Sequence, residues 1–304
     1  MNARVGFAAA VIAVLAGGAL GAQDSGGGAE QPVEKHGQWT LRVEPVVWFT
    51  GPSGTLKLPG SASGVGGSSA GDGGTVGALS LQGGAAQDVD LRDLDIDTPE
   101  ASPAIEINLG RGDWRFGLRA IDFSGDQQAA ANAGGSYGSL AYAAGDEVST
   151  SLDYSQFELE VGYSLRKRDL SPYPQGFKFH SNFELIAGLR VYDFEWSVEN
   201  TTAGGALGTE ETFWEPIVGA KISMELYEQF DIDLQLTAGG LPLGDDSSYS
   251  LDVIVGGAWR PVENVGVLVG YRLTGYDLSS GSGDEEFEWQ GSMAGLYAGL
   301  VLQF

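Results

Sequence analysis

From Trp39 to Phe304 one pattern recurs: runs of ten or more residues in which every second position is apolar, separated by turns or polar stretches. A period of two places successive side chains on opposite faces of an extended chain, so each run predicts a strand with one apolar and one polar face. The runs cover 38–50, 101–111, 113–124, 148–166, 178–197, 212–228, 230–239, 247–260, 264–279 and 286–304. Their connections alternate in length. Short ones at Gly110 to Asp113, Glu228 to Phe230 and Pro261 to Asn264, with a longer one at Ser171 to Gly176, face the long stretches 51–100 and 125–147 and the medium one 199–210. That asymmetry predicts an all-β fold: a transmembrane, antiparallel, up-and-down β-barrel of about ten strands, within a range of about eight to twelve, since an even count returns both termini to one side. A soluble sandwich gives no reason for it.

The final segment sharpens the picture. Counting back from Phe304, Leu302, Leu300, Ala298, Leu296 and Ala294 form an apolar face, and Gln303, Tyr297 and two glycines form the other. A strand of this kind closing on an aromatic residue resembles the terminal signal of outer-membrane barrels, which implies that Phe304 is read by the barrel assembly machinery. Three segments repeat a Gly-apolar-Arg core: Gly117 to Phe123, Gly188 to Phe194 and Gly270 to Tyr276. Together with the opening Trp39-Thr40-Leu41-Arg42-Val43-Glu44-Pro45, they make the chain similar to the small, porin-like outer-membrane barrel proteins of Gram-negative bacteria. The resemblance implies a barrel over 38–304 and carries little about function. All seven tryptophans fall near proposed strand ends, as interfacial girdles require. Parity nevertheless turns Trp48, Trp196 and Trp289 inward, so those ends are expected to twist, bulge or rise above the lipid.

The first 22 residues read as a secretory signal, with Arg4 ahead of an apolar run and small residues at Ala19, Gly21 and Ala22. Residues 23–37 read as a flexible periplasmic lead-in rich in Gly, Glu and Gln. No later segment is apolar for long enough to span a bilayer as a helix.

Composition removes several chemistries. The chain has no cysteine, which excludes disulfides, thiolate metal sites and cysteine nucleophiles, and its net charge of −25 argues against nucleic acid or anionic lipid as a partner. Outer-membrane lipid and, at the acidic loops, divalent cations fit better. The acidic run Asp88, Asp90, Asp93, Asp95, Asp97 and Glu100 fails as an EF-hand, because Thr98 and Ala104 stand where its glycine and bidentate glutamate belong. Arg111-Gly112-Asp113 spells an adhesion tripeptide, but in a tight turn on the periplasmic side. No cofactor site is read. An enzyme is not expected, since His36 lies in the lead-in and His180 at the periplasmic start of a strand, away from the outer rim.

The alternation directs Arg42, Arg115, Arg119, Arg190, Lys221 and Arg272 inward, together with Glu44, Glu106, Glu158, Glu160, Glu184, Glu215, Glu225, Asp233 and Asp252. The reverse assignment would expose charge to lipid at about 2–4 kcal/mol for each Arg or Lys near the midplane. The expected arrangement is a network of Arg–carboxylate pairs filling a narrow lumen, because about eight strands leave an interior just filled by side chains. The expected role is structural or passive, cation-preferring permeation. The alternative is a surface adhesin acting through 51–100 and 125–147; an outer-membrane hydrolase fits less well.

Overall fold

The computed structural model describes residues 39–58, 87–91, 98–131, 134–137, 140–169, 179–244, 246–283 and 286–304. The expected signal and lead-in lie outside these residues, as do 59–86 and 92–97 of the first expected loop. Thirteen strands are described: β1 (Trp39–Leu58), β2 (Gln87–Asp90), β3 (Glu100–Arg111), β4 (Trp114–Ala130), β5 (Gly135–Tyr137), β6 (Leu140–Tyr142), β7 (Glu147–Asp169), β8 (Phe179–Asn200), β9 (Ala206–Leu226), β10 (Phe230–Leu243), β11 (Asp246–Val262), β12 (Val265–Ser280) and β13 (Phe287–Gln303).

Eleven of them form one antiparallel sheet. Within it β2 pairs only with the far end of β1, and the remaining ten close into a ring: β1, β3, β4, β7, β8, β9, β10, β11, β12, β13 and back to β1. The seam runs from Arg42 opposite Gln303 to Lys57 opposite Glu288, and Leu41 and Phe304 exchange both backbone hydrogen bonds at its end, at 2.9 and 2.8 Å. Closure leaves no unpaired edge, the condition for a sheet to exist in hydrocarbon. Both ends of the strand array and the short turns share one rim, called here the terminal rim, which is periplasmic in outer-membrane barrels. The expected strand 212–228 stops at Leu226 because Tyr227 and Glu228 turn left-handed, with φ of 54° and 60°.

The outer wall carries the apolar residues of each strand. Val218, Val269 and Leu296 are each more than 60% exposed, with Leu185, Leu236, Val255 and Leu300 on the same surface. A closed antiparallel barrel with an apolar outer wall is a membrane-spanning structure, and the protein is an outer-membrane β-barrel.

The strands rise further above this wall than the alternation predicts. β1 continues to Leu58 and β4 to Ala130, while β9 starts at Ala206, so the expected loops 51–100, 125–147 and 199–210 begin or end as strand. In these upper parts the polarity is reversed. On β8 the outward residues Leu185, Leu189 and Val191 give way to Asp193, Glu195 and Glu199, while the inward residues change from Glu184 and Arg190 to Tyr192, Phe194, Trp196 and Val198. β7 reverses between Gln156 and Tyr154, β12 between Thr274 and Tyr276. These outward carboxylates form an acidic belt that cannot lie in hydrocarbon, so this part of the wall stands in water and folds like a soluble β-protein around an apolar core.

Trp48, Trp196 and Trp289 are accordingly not girdle residues. They are at most 2% exposed, inside the upper core with Phe123, Leu152, Phe194, Phe213, Leu278 and Phe287. Leu91 and Leu140, from the segments that follow β2 and β5, join the same core. Trp39, Trp114 and Trp259 stand exposed on the outer wall at the terminal rim, and Trp214 on the wall below the acidic belt.

Candidate functional site: a filled lumen

At the terminal rim Arg42 pairs with Glu44, with Asp231 at 3.2 Å and with Asp233 at 3.9 Å. Asp233 also faces Lys221 at 3.7 Å, and Arg260 joins Glu225 at 2.7 Å to Asp231 at 3.0 Å. One step along the wall, Arg115 holds Glu184 at 2.8 Å, Glu160 at 3.0 Å and the Asn108 side-chain oxygen at 2.8 Å.

At mid-height the arginines of the three Gly-apolar-Arg repeats meet. Arg119 bridges Glu106 at 2.9 Å and Glu158 at 2.7 Å, and approaches Asp252 at 3.9 Å. Arg272 grips Asp252 with both Nε and Nη2 at 2.9 Å and donates to Gln156 at 3.3 Å. Arg190, fully buried between them, donates Nε to Glu158, Nη1 to Tyr192, Ser250 and Glu215, and Nη2 to Thr237 at 2.8 Å and Asp252 at 3.4 Å. Glu215 accepts in addition from Ser250, from Ser248 at 2.9 Å and from the Tyr192 hydroxyl at 2.5 Å. Buried charges persist only when paired and hydrogen-bonded to this degree, because desolvation of each ion costs several kcal/mol.

The same repeats build the layer above. Four residues beyond each arginine stands an aromatic residue, Phe123, Phe194 or Tyr276, on the same face of its strand and within the upper core. The Phe194 and Trp289 ring centres are 5.1 Å apart, those of Tyr276 and Trp289 4.9 Å, and the Arg272 guanidinium lies 5.2 Å over Trp48. Two glycines make room for this filling. A Cβ at Gly239 would meet the Glu215 carboxylate at 2.5 Å, and one at Gly270 would meet the Tyr297 ring at 2.3 Å.

The residues directed inward by the alternation lie on the lumen side of their strands, and the contacts gather them into two groups, one at the rim around Arg42 and Arg260 and one running from Arg115 through Arg119 and Arg190 to Arg272. The reading overlooked Asp231 and Arg260, although both share parity with residues it used, Asp233 and Asp252. It also passed over Gln156, Gln235, Thr237 and the tyrosines, neutral groups whose role depends on which charges they meet. Phe304 contributes only backbone bonds to the seam, with its side chain exposed. Asp93, Asp95 and Asp97 lie outside the described residues. His180 sits at the terminal end of β8, and Asp113 of the tripeptide turn pairs with Lys167 at 3.0 Å.

Contacts cross the full diameter. β7 and β12 stand five places apart in the ring of ten, yet Tyr154 bonds Tyr276 and Gln156 bonds Arg272; β4 and β11 are equally opposed, as are β8 and β13, and Arg119 nears Asp252 while Phe194 packs on Trp289. A cavity of 60 Å³ between Glu44, Glu106, Arg119, Arg272 and Tyr297 has room for only a few waters.

No protein-family model matches the chain, and no curated protein matches it in sequence. Among solved structures it is similar to the outer membrane protease OmpT from Escherichia coli, at 12% identity over 87% of this chain and 97% of that one, with a TM-score of 0.49. The translocator domain of the autotransporter NalP from Neisseria meningitidis gives 9% identity over 89% and 90%, with a TM-score of 0.35, and Neisserial surface protein A gives 12% over 88% and 97%, with a TM-score of 0.30. At such values the likeness assigns no residue a role, and the barrel stands on its own closed ladder and outer wall.

Proposed function

We propose that the protein is a non-conducting outer-membrane barrel: a rigid anchor, stiffened by an ionic layer within the membrane and an aromatic layer above it, that holds its acidic loop end outside the lipid. The observation that carries this reading is contact between side chains from diametrically opposite strands at successive heights. A pore needs a continuous path of water, whereas here the midline is occupied by fully buried Arg190, Tyr154, Tyr192 and Trp289.

The role is accordingly structural or surface-binding and not enzymatic. The position of His180 at the terminal rim supports this, as does the complete engagement of the central carboxylates by arginines. A planar-bilayer recording tests the proposal. Reconstituted protein should insert without resolvable conductance steps at voltages that leave an open porin conducting; steady ohmic steps would overturn it.

A further inference from the structure

The outer wall at the terminal rim carries a groove of 380 Å³ lined by Trp39, Arg111, Trp114, Phe116 and Val161. Pairing fixes its construction. Trp39, Arg111, Trp114 and Tyr163 form one transverse row on β1, β3, β4 and β7, and Leu41, Leu109, Phe116 and Val161 form the next row toward the membrane centre. The groove thus has an apolar floor inside the lipid and one cation at its water-facing edge. The Arg111 guanidinium lies 5.1 Å over the Trp39 ring and makes no ion pair with any described residue.

A second feature points the same way. On β7 the pairing with β8 shifts between Ser164 and Arg166, which leaves Leu165 as an extra residue. Without that bulge, the even-numbered Arg166 and Arg168 would follow Glu158 and Glu160 into the lumen. With it, Arg166 stands opposite Phe183, itself paired with the outward Ile222, and Arg168 stands opposite Ser181 two residues on, so both arginines face outward and are exposed. Lys167 folds back onto the neighbouring turn, donating to the Gly112 carbonyl at 2.7 Å. Of the 16 Lys and Arg residues in a chain of net charge −25, seven face the lumen, and Arg111, Arg166 and Arg168, with Lys167 already paired to Asp113, meet on one arc of rim. The turns on the opposite arc, Tyr227 to Gln229 and Glu263 to Asn264, contain neither.

We infer that this arc is a binding site for an anionic phospholipid of the leaflet at the terminal rim, with its phosphate on Arg111, flanked by Arg166 and Arg168, and an acyl chain along Phe116 and Val161. The net charge of the chain argues against such a lipid, but Arg111, Arg166 and Arg168 make this arc locally basic, and charge complementarity there selects the headgroup. The apolar floor, continuous with the wall, selects a lipid over a soluble anion.

Native mass spectrometry of the full-length barrel in detergent tests the assignment, with phosphatidylglycerol and phosphatidylcholine of equal acyl length as probes. Phosphatidylglycerol should be retained at least about five-fold more strongly, the factor expected for one interfacial charge. Arg111→Gln should abolish most of that preference without changing phosphatidylcholine retention, Arg111→Lys should keep it, and Lys57→Gln at the loop end should have no effect. The double variant Arg166→Gln, Arg168→Gln should weaken it independently, so a folding defect at Arg111, read by mobility on an unboiled gel, leaves the test intact. Equal retention of the two lipids would overturn the proposal. So would full competition by glycerol 3-phosphate, which carries the anion without the chains.

Discussion

The Tyr154 hydroxyl lies 2.7 Å from the Tyr276 hydroxyl, a hydrogen bond between diametrically opposite strands that pins the barrel shut where the ionic layer meets the aromatic one. Tyr154 also donates to Gln156, which donates to Glu158, so the two layers are coupled through one chain of bonds. Tyr154→Phe removes the hydroxyl alone and leaves two buried groups short of a partner, at about 1–3 kcal/mol. Tyr154→Ala also opens a cavity and should cost about 3–5 kcal/mol. The heat-unfolding midpoint of the gel-shifted band should fall in that order.

Arg190→Ala leaves Glu158, Glu215 and Asp252 facing one another without the cation they share, a loss of about 3–5 kcal/mol for a broken buried pair. Single-channel recordings of this variant should show conductance steps that the parent lacks. Leu189→Ala, on the adjacent outward position, removes lipid contact only and should leave the barrel closed. An open Leu189→Ala barrel with a silent Arg190→Ala would mean that the two faces are reversed.

Any conductance gained in this way should prefer cations. The ten inward carboxylates, Glu44, Glu106, Glu158, Glu160, Glu184, Glu215, Glu225, Asp231, Asp233 and Asp252, outnumber the seven inward bases, and the deletion of Arg190 widens the excess. The reversal potential of Arg190→Ala in a salt gradient reads the sign directly. Anion preference would place the remaining arginines alone at the constriction.

The reversal of polarity along β8 and β9 predicts opposite responses to one substitution. Val218 lies on the apolar wall, 65% exposed, so Val218→Lys puts a charge into lipid and should cost about 2–4 kcal/mol near the midplane. Glu195 sits on the outward face of the upper wall, in water, and Glu195→Lys should change stability little. Folding titrations in lipid vesicles compare the two; equal costs would mean that the bilayer reaches the acidic belt.

At the loop end, the Asp146 carboxylate accepts hydrogen bonds from the Ala143 backbone N–H at 2.8 Å and from Asn200 at 2.9 Å. The backbone bond first, and then Asn200, hold its pKa below the usual 3.8. Because the folded value is the lower one, the contribution to folding is present above the usual value and is lost as pH falls through the depressed one. Amide exchange at Ala143 should therefore stay slow at neutral and mildly acidic pH and quicken only below about pH 4. Asp146→Asn should remove that pH dependence.

The sequence by itself determined the barrel and, within a range of about eight to twelve, its strand number, because long segments with a period of two joined by alternately short and long connections fit a closed antiparallel sheet. It carried the polarity reversal as well, in the change from Leu185, Leu189 and Val191 to Tyr192, Phe194 and Trp196 on alternate positions of one strand, but a strand read in isolation does not show which phase faces lipid. Only closure of the ring decided that. Closure set the height at which Trp48, Trp196 and Trp289 turn from interfacial anchors into a core, and it brought Arg119, Arg190 and Arg272, 153 residues apart from first to last, around the same carboxylates. Local alternation is enforced residue by residue by the solvent on each side. Contacts across a diameter depend on shear and strand number together, and those belong to the closed sheet as a whole.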